Sequence, residues 1–231
     1  MREDVLELKD FENNTRYRDY FRREVIPKYY YGPFHVLLNI FLLLGVIIFS
    51  ATQIKLPSIL EMITLPLMLI VGNLVVFVIH KYPLHRPIKF FMSPYNIHSK
   101  MHHQFFTDKH IVYDSHRDFY ILFFPPEVVI SFVFIFCPIS LFLMSVFISL
   151  NVAYFFIMGA AIYFILYEVF HYASHLPIDH PLLKIPFFLY MREHHRIHHD
   201  PTLMRDYNFN IVYPLSDWLF KTIYKAPKGD S

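Results

Sequence analysis

Histidines in this chain are concentrated in two segments, 80–116 and 171–199, which together hold fourteen of the fifteen. The second segment ends in EHHRIHHD, with four histidines in six positions. A neutral imidazole is the commonest metal ligand in proteins. Ten of the histidines form four spaced groups, HX4H, HX3HH, HX3H and HX2HH, at His80, His85, His98, His102, His103, His171, His175, His195, His198 and His199. These ten are the predicted metal ligands.

The spacing of the ten histidines predicts two ions in one site. Residues four apart on a helix share a face, with Cβ atoms about 5–6 Å apart, and three apart is nearly as good. The pairs expected to converge on one ion are therefore His98/His102, His171/His175, either His194/His198 or His195/His199, and, at three residues, His195/His198. Adjacent histidines point about 100° apart, so His102–His103 and His198–His199 should each serve two different ions. Ten imidazoles exceed the roughly four to six ligands of one transition metal. His85 is harder to place, because Pro83 should disturb the helix after His80.

The residue types leave the metal open. Imidazole suits zinc, copper, iron and nickel, whereas a purely structural zinc site needs only four ligands. Carboxylates near the groups are candidates for orienting a ligand imidazole, each with a surface or helix-cap role as the alternative: Glu168, Asp114, Asp200 and Asp217. His194 is an extra histidine beside the last group, and three more lack the spacing: His110, His116 and His180.

The composition indicates a membrane protein. Hydrophobic residues make up 55% of the 231 positions and charged residues only 17%, below the quarter usual in soluble domains. Four apolar stretches of about 20 residues are long enough to cross a bilayer, at 33–54, 59–80, 126–147 and 150–170. The polar segment 1–32 is expected at the surface. The single Cys137 excludes a disulfide or a Cys-ligated metal site within one chain, and a net charge of +2 indicates no nucleic-acid partner.

Basic residues predict the orientation. All but Lys55 of the 21 Lys and Arg residues lie before the first stretch, between the second and third, or after the fourth. By the positive-inside rule, the N-terminus, the histidine segments and the C-terminus are expected in the cytosol. The predicted fold class is an all-α multi-pass membrane protein, in which two helical hairpins carry a cytosolic helical cap with a histidine-rich dimetal site.

The four histidine groups resemble the fatty acid hydroxylase/sterol desaturase superfamily of integral-membrane dimetal oxygenases. The resemblance covers about 33–224, with the boxes HX4H, HX3HH, HX3H and HHxxHH in that order. The runs DSHRDFYILFFPP (114–126) and NFNIVYPLSDWLFKT (208–222) are similar to stretches that the family places after its second and last boxes. The second box is HX3HH, as in sterol-oxidising members, whereas fatty acid 2-hydroxylases more often have HX2HH. The chain is thus divided into an N-terminal cytosolic segment, 1–32, and a hydroxylase-like membrane domain, 33–231.

The resemblance implies an O2-dependent oxidoreductase that hydroxylates a C–H bond of a membrane lipid, most plausibly a fatty acyl chain. It implies two metal ions, with iron expected and zinc able to replace it in purified protein. It also carries over the ten ligands named above, with His194 as a bystander. Because 32 residues cannot hold a fused cytochrome b5 domain, the electron donor is expected to be a separate cytochrome b5 or ferredoxin-like protein. The expected membrane is the endoplasmic reticulum in a eukaryote or the inner membrane in a bacterium.

Three alternatives to lipid hydroxylation stay open at this point. A sterol or acyl desaturase would use the same site, although acyl-CoA desaturases usually show three histidine boxes. A metal transporter would place its ligands within the spans near mid-bilayer, whereas these histidines lie at the ends of the spans. A membrane protein stabilised by zinc without catalysis is the third.

Overall fold

The computed structural model describes residues 14–226, in which the regular secondary structure is helical. No strand occurs within these residues, which contain only one isolated β-bridge, between Ile88 and Phe91. Four helices are long and apolar enough to cross a membrane. The predicted fold class, an all-α chain with four membrane-length helices and a histidine-rich site, is confirmed.

Nine helices, α1 to α9, follow one another along the described residues, besides the short helical turns Phe21–Val25, His116–Asp118 and Pro181–Lys184. A short helix, α1, is followed by the membrane-length helices α2 and α3, a helix α4 over 93–105, and a single turn, α5. The membrane-length helices α6 and α7 come next, and two further helices, α8 and α9, complete the order. Their bounds are Asn14–Tyr20 (α1), Gly32–Gln53 (α2), Ile59–Leu84 (α3), Phe119–Leu122 (α5), Pro126–Phe147 (α6), Leu150–Ser174 (α7), Pro186–His198 (α8) and Leu215–Leu219 (α9).

Two of the membrane-length helices run past their predicted ends and carry histidines with them. The second stretch was expected over 59–80, but α3 continues to Leu84. The fourth was expected over 150–170, but α7 continues to Ser174, immediately before His175. Each extension places a histidine group on the end of an apolar helix, which positions the ligands through a rigid element rather than a loop.

Two segments of π-helix interrupt the regular α-helix at the histidine groups. One is His80–Leu84, at the end of α3, and the other is Asn96–His102, within α4. Pro83 lies inside the first, where it removes a backbone donor. A π-helix bonds each N–H to the carbonyl five residues back, so it brings residues five apart onto one face.

The chain divides into two compact units. The first contains the described residues 14–25, 74–113 and 173–226, and the second contains 26–73 and 114–172. Helices α3 and α7 contribute residues to both. In the second unit, α2, α6 and α7 enclose an apolar core of Leu43, Val46, Val129, Cys137, Tyr154, Ile157 and Ala161.

Small residues let α3 and α7 approach closely within the second unit. A Cβ at Gly72 would lie 2.6 Å from the Tyr163 ring, and a Cβ at Gly159 would lie 2.6 Å from Met68. The Asn73 amide donates a hydrogen bond to the Tyr163 hydroxyl, 3.3 Å away. Close backbone approach through small residues and a polar contact is how helices associate in lipid.

Part of the N-terminal segment, which its charges predicted to lie at the surface, is buried. Asn14, Tyr17 and Phe21 are buried within the first unit. The Asn14 amide donates to the carbonyl of Phe105 at 3.1 Å, and the Arg18 guanidinium donates to the Val112 carbonyl at 2.9 Å. Tyr17 and Phe21 are buried together with Asn14 and Arg18, whose polar groups find backbone acceptors. Residues 1–13 of the predicted segment lie outside the described residues.

Candidate metal centre

Nine of the ten histidines that the sequence singled out lie in the first unit, where they converge in two groups. Within each group the ligand atoms lie within 4.8 Å of one another, and every side chain is buried. The first group lies wholly in the first unit and consists of His80, His85, His98, His103 and His198. The second group contains His102, His175, His195 and His199 of the same unit. His171 lies on α7, one helical turn before His175.

The π-helical segments decide which histidines pair. His80 and His85 are five apart and belong to the same group, as do His98 and His103. Residues five apart share a face on a π-helix, which explains both pairs. The prediction that His98 and His102 converge on one ion was therefore wrong, because it assumed α-helical geometry. His85 was hard to place on an α-helix, but the π-helix His80–Leu84 accounts for its place in one group with His80.

Helix α8 distributes its histidines between the two groups. His195 and His199 are one α-helical turn apart and belong to the second group, whereas His198 belongs to the first. As expected, each adjacent pair is divided between the two groups: His198 from His199, and His103 from His102. The expected pairing of His195 with His198 is wrong, because the turn that unites His195 and His199 directs His198 to the other group.

Polar groups behind the imidazoles fix their orientation. The Nδ1 atoms of His175, His198 and His199 lie 2.6, 2.8 and 2.5 Å from the carbonyl oxygens of Ile111, Tyr207 and Phe106, and that of His80 contacts the Phe209 carbonyl. A carbonyl only accepts, so each Nδ1 carries the proton and each Nε2 presents a lone pair.

His85 is oriented by a side chain. The Ser99 hydroxyl donates to the Leu84 carbonyl at 2.6 Å and lies 2.9 Å from His85 Nδ1, from which it accepts. Neither Ser99 nor the carbonyls could be predicted from the residue pattern, since any residue type can supply a backbone partner. Such outer contacts set the tautomer and direction of a metal-binding histidine.

Several Nε2 atoms lie so close together that their lone pairs would repel each other without a cation between them. His85 and His198 face each other with Nε2 atoms 2.9 Å apart, although both carry their proton on Nδ1. Two lone pairs cannot bond each other. Further separations are 2.8 Å for His80–His98, 3.1 Å for His98–His103, 3.2 Å for His175–His195 and 2.9 Å for His195–His199. With metal–nitrogen bonds of about 2.1 Å, neighbouring ligands at right angles lie about 3.0 Å apart. The residues therefore fit a metal ion in each group.

Burial keeps the imidazoles in the form that binds metal. Desolvation lowers the pKa of His85, His98, His103, His198 and His199 well below 6.5, and neighbouring imidazoles add to the effect. These side chains are neutral at pH 7. A neutral imidazole with a free lone pair is the metal-binding species.

Asp217 anchors the last histidine group from behind. Its carboxylate accepts from His194 Nε2 at 3.0 Å, from the Thr222 hydroxyl at 2.6 Å, and from the N–H groups of Phe209 and Asn210 at 2.9 and 2.7 Å. Burial by itself raises the pKa of Asp217, but these hydrogen bonds outweigh it and hold the pKa below 3.8. His194 lies outside both groups and instead fastens α8 to Asp217.

The other carboxylates near the groups have local partners. Asp200 accepts from the N–H and hydroxyl of Thr202 in the turn after α8. Glu193 pairs with Arg192 and Arg196 at 2.7 Å each. Glu168 is buried in the second unit and accepts from the Phe124 N–H at 3.1 Å. Asp114 is exposed. Of the four candidates, Asp217 is the one whose hydrogen bonds reach the segment that holds a ligand histidine.

The fold and site define a class: an all-helical protein with four helices able to cross a membrane and two buried histidine groups, each able to hold a metal ion. This is compatible with a membrane histidine-box protein. Comparisons with protein-family models, with curated proteins and with solved structures return no match.

Proposed function

We propose that the protein is a membrane-bound dimetal oxygenase that hydroxylates a C–H bond of a lipid, with a fatty acyl chain as the preferred substrate. The observation that carries the proposal is the division of the four histidine boxes between two groups in the first unit, one of five histidines and one of four. A structural zinc site uses four ligands, so ten imidazoles exceed what stability requires. The sequence resemblance to the fatty acid hydroxylase/sterol desaturase superfamily supplies the reaction type.

The reaction consumes one O2, two electrons and two protons, and it converts R–H into R–OH and water. The two ions, with iron proposed, supply the redox chemistry when bound. His171 is the proposed fifth ligand of the second group, because it precedes His175 by one helical turn on α7. The chain's own contribution is to hold the buried imidazoles in place and to keep bulk water away from them.

The proposed partners follow from the same reaction. The two electrons come from a separate donor, a cytochrome b5 or ferredoxin-like protein. The substrate is a membrane lipid, since four membrane-length helices make up most of the second unit. The proposed location is a membrane that the chain crosses several times, with both termini in the cytosol.

Lipid analysis of a host that expresses the chain with a redox partner tests the proposal. Wild-type protein should add one oxygen to an acyl chain, and the double variant His171→Ala, His198→Ala should abolish the product. His110→Ala is the matched control, because His110 is exposed and outside both groups, and it should leave the product unchanged. Unaltered lipids with wild-type protein and donor present would overturn the proposal.

The same analysis separates hydroxylation from desaturation. A sterol or acyl desaturase with this site would remove two hydrogens from the lipid and add no oxygen. A product with a new double bond and the same dependence on His171 and His198 would replace hydroxylation with desaturation.

A further inference from the structure

The short helix α9, in the first unit, has one exposed apolar face. Leu215, Trp218 and Leu219 are exposed, with Trp218 70% accessible, whereas Ser216 and Asp217 are buried. Spacings of three and four residues place the three exposed side chains on one face of the helix. An exposed tryptophan with large apolar neighbours marks a surface that contacts a partner or a membrane.

Helix α9 is held against α3 within the same unit. The ring of Phe220, which directly follows α9, stacks on the ring of Phe77 in α3 with centroids 4.9 Å apart. The apolar side chains around Phe77 on α3 are exposed, namely Leu74, Val75, Val78 and Ile79. On a helix that crosses a membrane, exposed apolar side chains contact lipid. The apolar face of α9 therefore lies beside a surface of α3 that suits lipid.

The length of α3 places this contact at the edge of the hydrocarbon layer. Helix α3 begins at Ile59 and ends at Leu84. About 20 residues of helix span the hydrocarbon core, so a core that starts at Ile59 ends near Val78. Phe77 is then at the boundary between the acyl chains and the lipid headgroups. This boundary is where tryptophan side chains are enriched in membrane proteins.

The charged groups near this boundary are basic. Lys81 follows Phe77 by one helical turn, and its Nζ lies 5.4 Å from the centre of the Phe77 ring. Residues 74–107 contain four Lys and Arg residues and no Asp or Glu. Lys221 and Lys225 are exposed after α9, whereas the one acidic side chain of α9 is buried. A basic rim beside an apolar helix face matches the charge of anionic phospholipids.

Lys221 occupies a backbone position that suits glycine or asparagine better than lysine. Its φ angle is 57°, in the left-handed region that commonly ends a helix. Backbone hydrogen bonds close the turn, because the N–H of Lys221 donates to the Trp218 carbonyl at 3.3 Å and that of Thr222 donates to the Asp217 carbonyl at 2.8 Å. The turn itself therefore gives no reason for a charged side chain at this position.

We propose that α9 lies in the headgroup layer of the cytosolic leaflet and binds anionic phospholipids. Trp218 and Leu219 enter the edge of the acyl layer, and Lys81 and Lys221 contact lipid phosphates. The bilayer is the occupant of this surface, because the apolar face of α9 borders the exposed apolar side chains of α3. The placement rests on the proposed membrane location of α3, but it requires neither metal nor turnover.

The fluorescence of Trp218 tests the depth of α9, because it is the only tryptophan in the chain. The probe is a nanodisc of phosphatidylcholine and phosphatidylserine, which exposes both faces of the bilayer to water. Emission should be blue-shifted from that of tryptophan in water, and lipids brominated near the headgroup should quench it more than aqueous iodide does. The matched control, Trp218→Phe with His110→Trp, moves the tryptophan to another exposed position of the first unit. Iodide should quench the control and brominated lipid should not.

Bromine on one lipid at a time in an equimolar mixture tests the headgroup contact. Brominated phosphatidylserine should quench Trp218 more strongly than brominated phosphatidylcholine. Lys221→Asn should reduce this preference about fivefold, because asparagine tolerates the left-handed turn and lacks the charge. Lys109→Asn is the matched control, since it removes an exposed lysine elsewhere in the first unit and should leave the preference unchanged. No preference in wild type, or equal effects of the two substitutions, would overturn the headgroup contact.

Extraction with alkaline carbonate separates this surface from the proposed location and function. Wild-type protein should stay in the membrane. Release by carbonate would overturn the membrane location and the placement of α9 with it. Resistance to carbonate together with strong iodide quenching of Trp218 would overturn the placement of α9 alone. Unaltered host lipids together with the expected fluorescence would overturn the proposed hydroxylation and leave the lipid surface in place.

Discussion

His194 Nε2 lies 3.0 Å from Asp217 Oδ2, and both side chains are buried. This contact ties the helix that carries His195, His198 and His199 to the segment 208–222. The same carboxylate holds the N–H of Phe209, whose carbonyl receives the Nδ1 proton of His80. One buried acid thus supports ligand histidines from the first and last boxes.

Asp217→Asn should destabilise the protein by about 3 kcal/mol, because an amide leaves buried donors without their acceptor. Chemical unfolding in detergent measures the loss, and metal content should fall with it. Asp206→Asn is the control, since Asp206 forms only an exposed 3.6 Å pair with Arg86 and should change stability by less than about 1 kcal/mol. Equal effects of the two substitutions would contradict the anchoring role of Asp217.

Stability of the metal-free protein should fall as the pH drops below about 6.5. The folded-state pKa values of His85, His98, His103, His198 and His199 are lowered, so in this range the unfolded chain binds more protons than the folded one. The free energy of unfolding then decreases by about 1.4 kcal/mol per pH unit for each histidine that titrates in this way. Above pH 6.5 these histidines are neutral in both states, so the free energy of unfolding no longer depends on pH through them. Unfolding curves from pH 8 to 5 that superimpose would contradict this.

Metal removal should lower the unfolding temperature at constant pH. The closely spaced Nε2 lone pairs, 2.9 Å apart for His85 and His198, lose the cation that holds them together. At 1,000 times the dissociation constant, each bound ion adds about 4 kcal/mol to the free energy of unfolding. Thermal unfolding before and after treatment with a chelator, and again after the metal is restored, measures the effect. An unchanged unfolding temperature would show that the ions do not couple to folding.

The orientation in the membrane is open to direct chemical labelling. Leu56, between α2 and α3, is 99% exposed, and the distribution of basic residues predicts it outside the cytosol. In a Cys137→Ala background, Leu56→Cys should react with an impermeant maleimide on intact cells or sealed vesicles that expose this face. The matched variant His110→Cys should react only after permeabilisation. The reverse pattern would invert the topology.

Some elements of this molecule can be predicted from the sequence and others cannot. The four apolar helices are readable because about 20 apolar residues in a row have few other uses. The ten histidines are readable because their spacing repeats. Their pairing is not readable, because HX3HH looks α-helical until the π-helix at Asn96–His102 is seen. The role of His194 is hidden too, since its partner lies 23 residues later and contact at that distance depends on the fold.

The metal content of purified protein tests the central claim most directly. Wild type and the control His110→Ala should each hold two ions per chain. Two matched double variants, His85→Ala with His103→Ala and His175→Ala with His199→Ala, each remove two ligands from one group and should each hold about one. Wild-type protein with one ion or none, or two variants that lose both ions alike, would contradict two separate histidine sites.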